Sequence, residues 1–351
     1  MVGTRVAPDA LTSVAGGARA PVAPLRVLAA CGWLDTADVS SAAVASRSSA
    51  HDVCLVTTAD GRAAIVKQWP AGAPTGRDLR QELFVYRLAR SVPALAAVLP
   101  QAWHLDEGRQ VLVLEAVGNG CAPVPRLEDE GVAEALGDAM ACWHRATTET
   151  GLWPSPAMGI LEMPDALEVA LAGRAPATSR LMHAIVDDVG LAAVLREARA
   201  GWRDTCLIHG DLRRENWFAV PSSAASGVRV IDWELSGSGD PAWDLATVIV
   251  DAAMEGLRST GVMGEGPAVA ALPRLVRAYA AAGGPAITTR DAAWRHLWAC
   301  AVARLLHVAT EWAERQPGDD LGVVEPLVAH AGAWTRDLAR LTEEGVAWAA
   351  A

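Results

Sequence analysis

The chain has 351 residues, with 30 Lys plus Arg against 41 Asp plus Glu, a formal charge of −11, and 52% of it is hydrophobic. That apolar share supports a packed core and, with only 20% charged residues, excludes a wholly disordered chain. The negative balance argues against a nucleic-acid binder, which needs a basic face to displace counterions. No stretch approaches the ~20 apolar residues of a membrane span.

Residues 1–24 are rich in Ala, Gly and Pro and lack the apolar run of a signal peptide, so a flexible tail is expected there. A short helical pattern begins at Pro24-Leu25-Arg26. Asp52 to Thr58 reads as a strand, Asp60-Gly61 as a turn, and 63–67 as the returning strand. Apolar residues recur at helical spacing between Arg77 and Arg90, with Glu82 among them, and 110–115 forms a further strand before the turn-rich Gly118-Asn119-Gly120. From about Glu128 the pattern is mainly helical: Val132 to Arg145, Ala192 to Ala200, Pro241 to Glu255, Arg290 to Arg315 and Pro326 to Ala350. Two short strand-like segments, 205–208 and 228–231, interrupt it. The expected class is α+β, with residues 25–118 as a small sheet-bearing lobe and 119–351 as a helical one. Six scattered cysteines (Cys31, Cys54, Cys121, Cys142, Cys206 and Cys300) form no CxxC pair, so reduced thiols in a cytoplasmic protein are expected.

Of the 30 basic residues a single one is lysine, Lys67, at the end of the apolar run Ala63-Ala64-Ile65-Val66. A composition that uses arginine everywhere else and lysine once points to a need for a compact ammonium at that place.

Each of the two interrupting strands runs into carboxylates. The first gives Ile208-His209-Gly210-Asp211-Leu212-Arg213-Arg214-Glu215-Asn216; the second gives Ile231-Asp232-Trp233-Glu234, followed by Gly239-Asp240-Pro241-Ala242-Trp243-Asp244. An Asp just past a strand can take a proton from a hydroxyl, and an Asn five residues on can return to the same pocket as a neutral oxygen ligand. A second Asp completes a site for Mg²⁺, which takes one or two hard protein oxygens and leaves the rest to water and phosphate. That is the division of labour of kinase phosphoryl transfer, with Asp211 as base, Asn216 and Asp232 on the metal, and a distant lysine. Read singly, these Asp and Asn residues would be ordinary turn formers. Arg213 either steadies phosphoryl charge or pairs with a neighbouring carboxylate, and Glu234 either supports the metal or touches substrate. His209 reads as a buried packing residue, Asp240 and Asp244 as ties between the following helix and the loop. His307 and Glu311, four apart on a helix, lack a third metal ligand nearby, and Trp294, Leu297, Trp298 and Leu305 read as core.

HGDLRRENW followed by IDWE and GDPAWDLA resembles the aminoglycoside phosphotransferase and choline kinase superfamily, over roughly residues 40–310. The resemblance implies a bilobal, protein-kinase-like fold with a small antiparallel-sheet N-lobe that binds nucleotide and a mainly helical C-lobe that binds acceptor. It makes Lys67 the lysine on the α/β-phosphates, Glu82 its helix partner, and Glu115 to Val117 the segment that receives adenine. Ser48 and Ser49 stand where the family places its phosphate loop, though without the usual glycine. The implied cofactors are ATP, with GTP as the alternative donor, and Mg²⁺. In finer detail VKQ, ELFVYRLA, HGDLRxxN and DWELxGxGDPAWD resemble the peptide phosphotransferases of class V lanthipeptide and thioamitide pathways. These phosphorylate Ser or Thr of a precursor peptide before a partner lyase eliminates phosphate. The alternatives are an antibiotic O-phosphotransferase acting on an aminoglycoside or macrolide, and a nucleotide-binding pseudokinase scaffold. Retention of Lys67, Asp211, Asn216 and Asp232 together speaks against the last.

Overall fold

The computed structural model describes residues 23–46, 52–68, 79–120, 125–148, 153–155, 159–220, 227–287, 291–316, 321–322 and 324–350. Ser48, Ser49 and most of the segment expected as a tail lie outside them. The chain forms two compact units, one of residues 1–124 joined by 220–225 and 229–234, the other of the remainder. The second short strand and its carboxylates therefore return to the first unit, which a division at residue 118 does not anticipate.

The first unit opens with α1 (Pro24–Ala30) and α2 (Thr36–Val39). Strands β1 (Ala43–Ser46), β2 (Asp52–Thr57) and β3 (Ala63–Gln68) follow, then α3 (Arg80–Leu88), α4 (Pro93–Ala96), β4 (Ala102–Asp106) and β5 (Val111–Glu115). The five strands form one antiparallel sheet in the order β1-β2-β3-β5-β4. Strands β1 and β4 were not foreseen from the sequence. β4 is half-buried throughout and lacks the apolar alternation that marks a one-faced strand.

Side chains alternate across a strand, so Val56 of β2 and Ala64 and Val66 of β3 join Val111, Val113 and the α1 residues Val27 and Leu28 in one apolar cluster. Lys67 is thereby directed to the opposite face from Val66. Thr58 and Arg62 close the turn between β2 and β3, with Gly61 at φ 85°, a left-handed conformation that favours glycine. Asp232 returns to this unit through the backbone bond Val230 N–H to the Val98 carbonyl, 2.7 Å, and the Arg229 guanidinium donates to the Ala97 carbonyl.

The second unit is built on helices α5 (Val132–Ala146), α6 (Gly159–Glu162), α7 (Leu167–Leu171), α8 (Pro176–Asp187) and α9 (Val189–Gly201). Three-residue strands come next: β6 (Cys206–Ile208), β7 (Trp217–Ala219), β8 (Val228–Val230, shared with the first unit) and β9 (Gly237–Gly239). β6 pairs antiparallel with β9. Helices α10 (Pro241–Thr260), α11 (Pro267–Ala281), α12 (Asp291–Arg315), α13 (Glu325–Arg336) and α14 (Leu338–Ala350) complete it. The single helix expected over 326–350 is two, broken at Asp337, which leaves helical geometry with φ −94° and ψ 10°. Trp294, Leu297, Trp298 and Leu305 of α12 are buried core, as their spacing predicts.

α5 packs against α11 at Gly137, where a Cβ would lie 2.3 Å from the Leu275 carbonyl oxygen. Alanine is worth up to about 1 kcal/mol more than glycine in a helix, but here the added methyl must push two backbones apart, which costs about 1–3 kcal/mol. Gly137→Ala should therefore lower the urea unfolding midpoint. An unchanged or raised midpoint would mean that the α5–α11 contact yields freely.

Candidate active site

In the first unit the lysine ammonium meets three carboxylates. Lys67 Nζ lies 2.6 Å from Glu82 Oε2, 2.5 Å from Asp232 Oδ1 and 3.9 Å from Glu234 Oε2. Strand β3 carries the lysine and α3 the glutamate, each a buried residue among apolar neighbours. Burial alone works to lower the ammonium's pKa, but Glu82, Asp232 and Glu234 together hold it above its ordinary value. The Glu82 carboxyl is pushed up by burial and by its negative neighbours Asp232 and Glu234, against the pull of Lys67.

Three carboxylates around one ammonium leave an excess of negative charge, the condition in which a divalent cation is welcome. Asp232 is the member that solvent reaches, with 37% of its side chain exposed against 1% for Glu82 and 11% for Glu234. It also sits at φ 64°, a left-handed conformation unusual outside glycine and held only where surrounding structure fixes it. Glu115 ends β5, its carboxylate accepting from the Gln101 N–H at 3.1 Å, and buried Val117 starts the short turn that follows.

In the second unit the loop after β6 carries the other carboxylate. Asp244 of α10 holds this loop: it accepts from the N–H groups of His209, 2.8 Å, and Gly210, 3.0 Å. Its Oδ2 also meets His144 Nε2 at 3.0 Å, and His144 Nδ1 in turn meets the Tyr279 hydroxyl at 3.0 Å. The Trp243 indole donates to the Gly210 carbonyl at 2.9 Å. Gly210 has φ 85°, and a Cβ there would approach the Leu235 carbonyl to 2.4 Å. Asp240 caps α10 through the Ala242 N–H and accepts from the Arg203 N–H. The expected tie between helix and loop is thus made by Asp244, while Asp240 anchors the helix start. His209 is fully buried, its Nδ1 accepting from the Asp211 N–H at 3.2 Å.

Asp211 is only 6% exposed and both its carboxylate oxygens carry a guanidinium. Arg304 Nη2 donates to Oδ1 and Arg213 Nη2 to Oδ2, each at 2.5 Å. Burial raises a carboxyl's pKa, yet Arg304 and Arg213 outweigh it and hold Asp211 below the ordinary range, so it is ionised at neutral pH. Of the two readings of Arg213, the structure displays the pairing with carboxylates. Asn216 Nδ2 donates to the Asp211 carbonyl at 2.8 Å, which commits the nitrogen side of the amide and leaves its oxygen as the hard donor suited to Mg²⁺. Among the described residues no three His, Cys, Asp or Glu cluster at metal-binding distances.

Arg304 is the functional residue the sequence reading missed. It lies 93 positions from Asp211, in a helix buried on most sides, and is itself 1% exposed. Its presence on an otherwise apolar stretch was the available signal, since a fully buried arginine demands a partner. Its Nη1 meets His307 Nδ1 at 3.0 Å, and Glu311 lies 3.8 Å from Arg304 Nη1 and 3.6 Å from His307 Nε2. The His307–Glu311 pair thus belongs to an arginine network.

The family model that matches the chain, described as the phosphotransferase enzyme family, spans residues 42–293. Among solved structures, the chain is similar to a choline/ethanolamine kinase family protein from Mesorhizobium loti at 18% identity, covering 88% of this chain and 92% of that one with a TM-score of 0.53. It is also similar to an ethanolamine kinase from Plasmodium vivax, at 10% identity, 91% and 88% coverage and a TM-score of 0.59. A choline kinase from Streptococcus pneumoniae gives 14% identity, 85% and 93% coverage and a TM-score of 0.51. No curated protein sequence matches the chain. At these identities the structural likeness is one of fold, that of an α+β protein of protein-kinase-like architecture. The chain belongs to the phosphotransferase enzyme family.

His307 yields a pH test of the arginine network. Burial and the adjacent Arg304 guanidinium push its imidazole down to about 4, against the opposing pull of Glu311 and Asp211. Its folded value lies below the unfolded one, so between pH 6.5 and about 4 the unfolded chain binds a proton the folded chain refuses, and stability falls as pH drops through that window. His307 keeps 28% of its side chain exposed, which limits the loss to at most about 2 kcal/mol. Chemical denaturation from pH 7 to 4 should show a steeper loss for the wild type than for His307→Gln, which keeps an acceptor for Arg304. Parallel curves would remove His307 from the network.

Proposed function

We propose that the protein transfers the γ-phosphoryl group of ATP, with Mg²⁺, to a Ser or Thr hydroxyl of a ribosomally made precursor peptide, ahead of phosphate elimination by a partner lyase. The nucleotide reading is carried by the buried Lys67–Glu82 pair with Asp232 beside it, an ammonium aimed and held by carboxylates. Lys67 binds the α/β-phosphates. Glu115 to Val117 receives adenine. Asp232, which Glu234 supports, and Asn216 are the hard-oxygen donors offered to Mg²⁺; when bound, the ion would neutralise phosphate charge. Asp211 accepts the proton as the acceptor oxygen forms its bond to phosphorus and the bond to the departing ADP oxygen breaks. Because such a transition state is loose, most of the rate comes from positioning and charge neutralisation.

The peptide acceptor rests on the finer motif match in the sequence and on one feature of the second unit. A cleft of about 180 Å³ beside Asp211 is lined by three guanidiniums, Arg213, Arg258 and Arg304, against the carboxylates Glu215 and Asp251, with Val250, Met254, Val308 and Trp312 as apolar wall. This lining suits a neutral or acidic peptide segment better than a polycationic aminoglycoside, despite the chain's net charge.

Lys67→Met should abolish ADP production while leaving the thermal unfolding transition in place. Asp211→Asn should keep nucleotide binding by calorimetry and lose about 10²–10⁴-fold in turnover, the usual cost of removing a general base. The kinase assignment is falsified if Lys67→Met turns over like the wild type; wild-type turnover by Asp211→Asn would remove Asp211 as the base. For the acceptor, incubation with ATP, Mg²⁺ and precursor peptides encoded beside the gene should give a phosphorylated Ser or Thr by mass spectrometry, converted to a dehydro residue only when a lyase is added. Efficient phosphorylation of kanamycin-like or macrolide acceptors without peptide modification would promote the antibiotic reading.

A further inference from the structure

Each oxygen of the Asp211 carboxylate accepts from a guanidinium, which spends one lone pair on each and lowers the carboxylate's basicity, so opening one of the two contacts leaves a better proton acceptor for an incoming hydroxyl. The two contacts are not equivalent. Arg304 stands in the middle of the 25-residue helix α12, 1% exposed, with a second hydrogen bond to His307 Nδ1. Arg213 stands on the loop, two residues from Asp211, with 33% of its side chain exposed, and it lines the cleft of about 180 Å³ that gives it room to move.

A second seat already waits for it. Glu311 Oε2 is buried, has no hydrogen-bond partner, and lies 3.8 Å from Arg213 Nη1. A buried carboxylate oxygen without a donor is costly, and a shift of the guanidinium by about 1 Å would bring it within charge-assisted hydrogen-bond range. Among the described residues Arg304 has no comparable seat: its own approach to Glu311, 3.8 Å to Oε1, runs from Nη1, the nitrogen already bonded to His307.

We propose that Arg304 is the fixed anchor of Asp211, that Arg213 is a removable cap on Oδ2, and that Glu311 receives the cap when the acceptor arrives, so that the acceptor hydroxyl meets Asp211 through Oδ2. Arg304 and Glu311 are then positioning residues: neither touches the reacting atoms, and each acts through the carboxylate or the guanidinium it holds. The proposal rests on Asp211 being the base. In the exchange no covalent bond changes; the Arg213–Asp211 ion pair opens, the Arg213–Glu311 pair closes, and Oδ2 is left to accept the hydroxyl proton.

Turnover of ATP with Mg²⁺, measured with the unphosphorylated precursor peptide as acceptor, separates this from a structural role. Arg304→Gln should lower kcat by about 10²-fold with the KM for ATP within about twofold, and Arg304→Lys should recover about tenfold of the loss, because an ammonium still reaches Oδ1 but lacks the second bond to His307. Glu311→Gln should lower kcat by about 3–10-fold in the wild-type background and by less than about 1.5-fold in the Arg213→Ala background, since the receiver matters only while there is a cap to receive. Arg213→Ala alone should raise kcat. A fall of tenfold in that variant would overturn the cap and make Arg213 a contact of the phosphoryl charge. Equal effects of Glu311→Gln in both backgrounds would reduce Glu311 to a packing residue. If Asp211→Asn turns over normally, the base reading fails instead, whatever the arginine variants do. Nitrogen NMR of the arginine side chains checks the resting state without turnover: Arg304 should show hindered guanidinium rotation in the wild type and in Glu311→Gln alike. Free rotation of Arg304 would remove the anchor.

Discussion

A carboxylate taken out of water persists as an anion only beside a cation, and both units of this protein are arranged around that demand. In the first, Glu82 is almost wholly buried and is met by Lys67; in the second, Asp211 is met by Arg304 and Arg213. Stripping one partner from such a pair leaves an uncompensated buried charge, a loss of several kcal/mol by the usual measure. The backbone follows from this need. Strand β3 is continuous and apolar because it must carry an ammonium into the interior, and the loop after β6 is tied by Asp244, Trp243 and a left-handed Gly210 because it must hold a carboxylate still.

The choice of cation differs between the two units for a geometric reason. Lys67 approaches three carboxylates belonging to α3 and to the returning segment at 2.5, 2.6 and 3.9 Å. A point-like ammonium accommodates ligands from several directions, where a planar guanidinium would bind one carboxylate as a fork and turn its apolar face to another. Around Asp211 the opposite is needed. Arg304 spends one nitrogen on Asp211 and another on His307, a division across a rigid plane that a single ammonium on a flexible stem holds less firmly. The lone lysine in a chain that otherwise uses arginine is thus explained by what surrounds it.

What the sequence made legible was local. Asp211, Asn216 and the loop between them sit within six consecutive positions, Lys67 ends and Asp232 follows an apolar run, and Glu82 stands among apolar residues at helical spacing. The structure unites Lys67, Glu82 and Asp232 in one cluster and Asp211, Arg213 and Asn216 in another. Less legible were elements whose pattern is set by neighbours distant in sequence. β4 is half-buried along its length and gives no alternation, and the α13–α14 break at Asp337 comes without glycine or proline to announce it. Arg304 was hidden for a similar reason: its meaning depends on Asp211, and the Cys300 to Leu306 stretch reads as core.

That stretch bears on why an arginine is there at all. α12 is buried from Trp294 through Ala313 on nearly every face, so each polar residue it carries must find its partner inside the protein. Arg304, His307 and Glu311 stand three and four residues apart and therefore share one stripe of the helix, and that stripe meets the Asp211 loop. For packing alone, a leucine at 304 would serve as well, and replacing buried charges with apolar residues is often neutral or stabilising. Here such a replacement would leave Asp211 in the interior with only the half-exposed Arg213 beside it. The buried stripe is thus understood from the carboxylate outward: because Asp211 must be ionised and immobile where water does not reach it, the central helix of the second unit carries a guanidinium through its core.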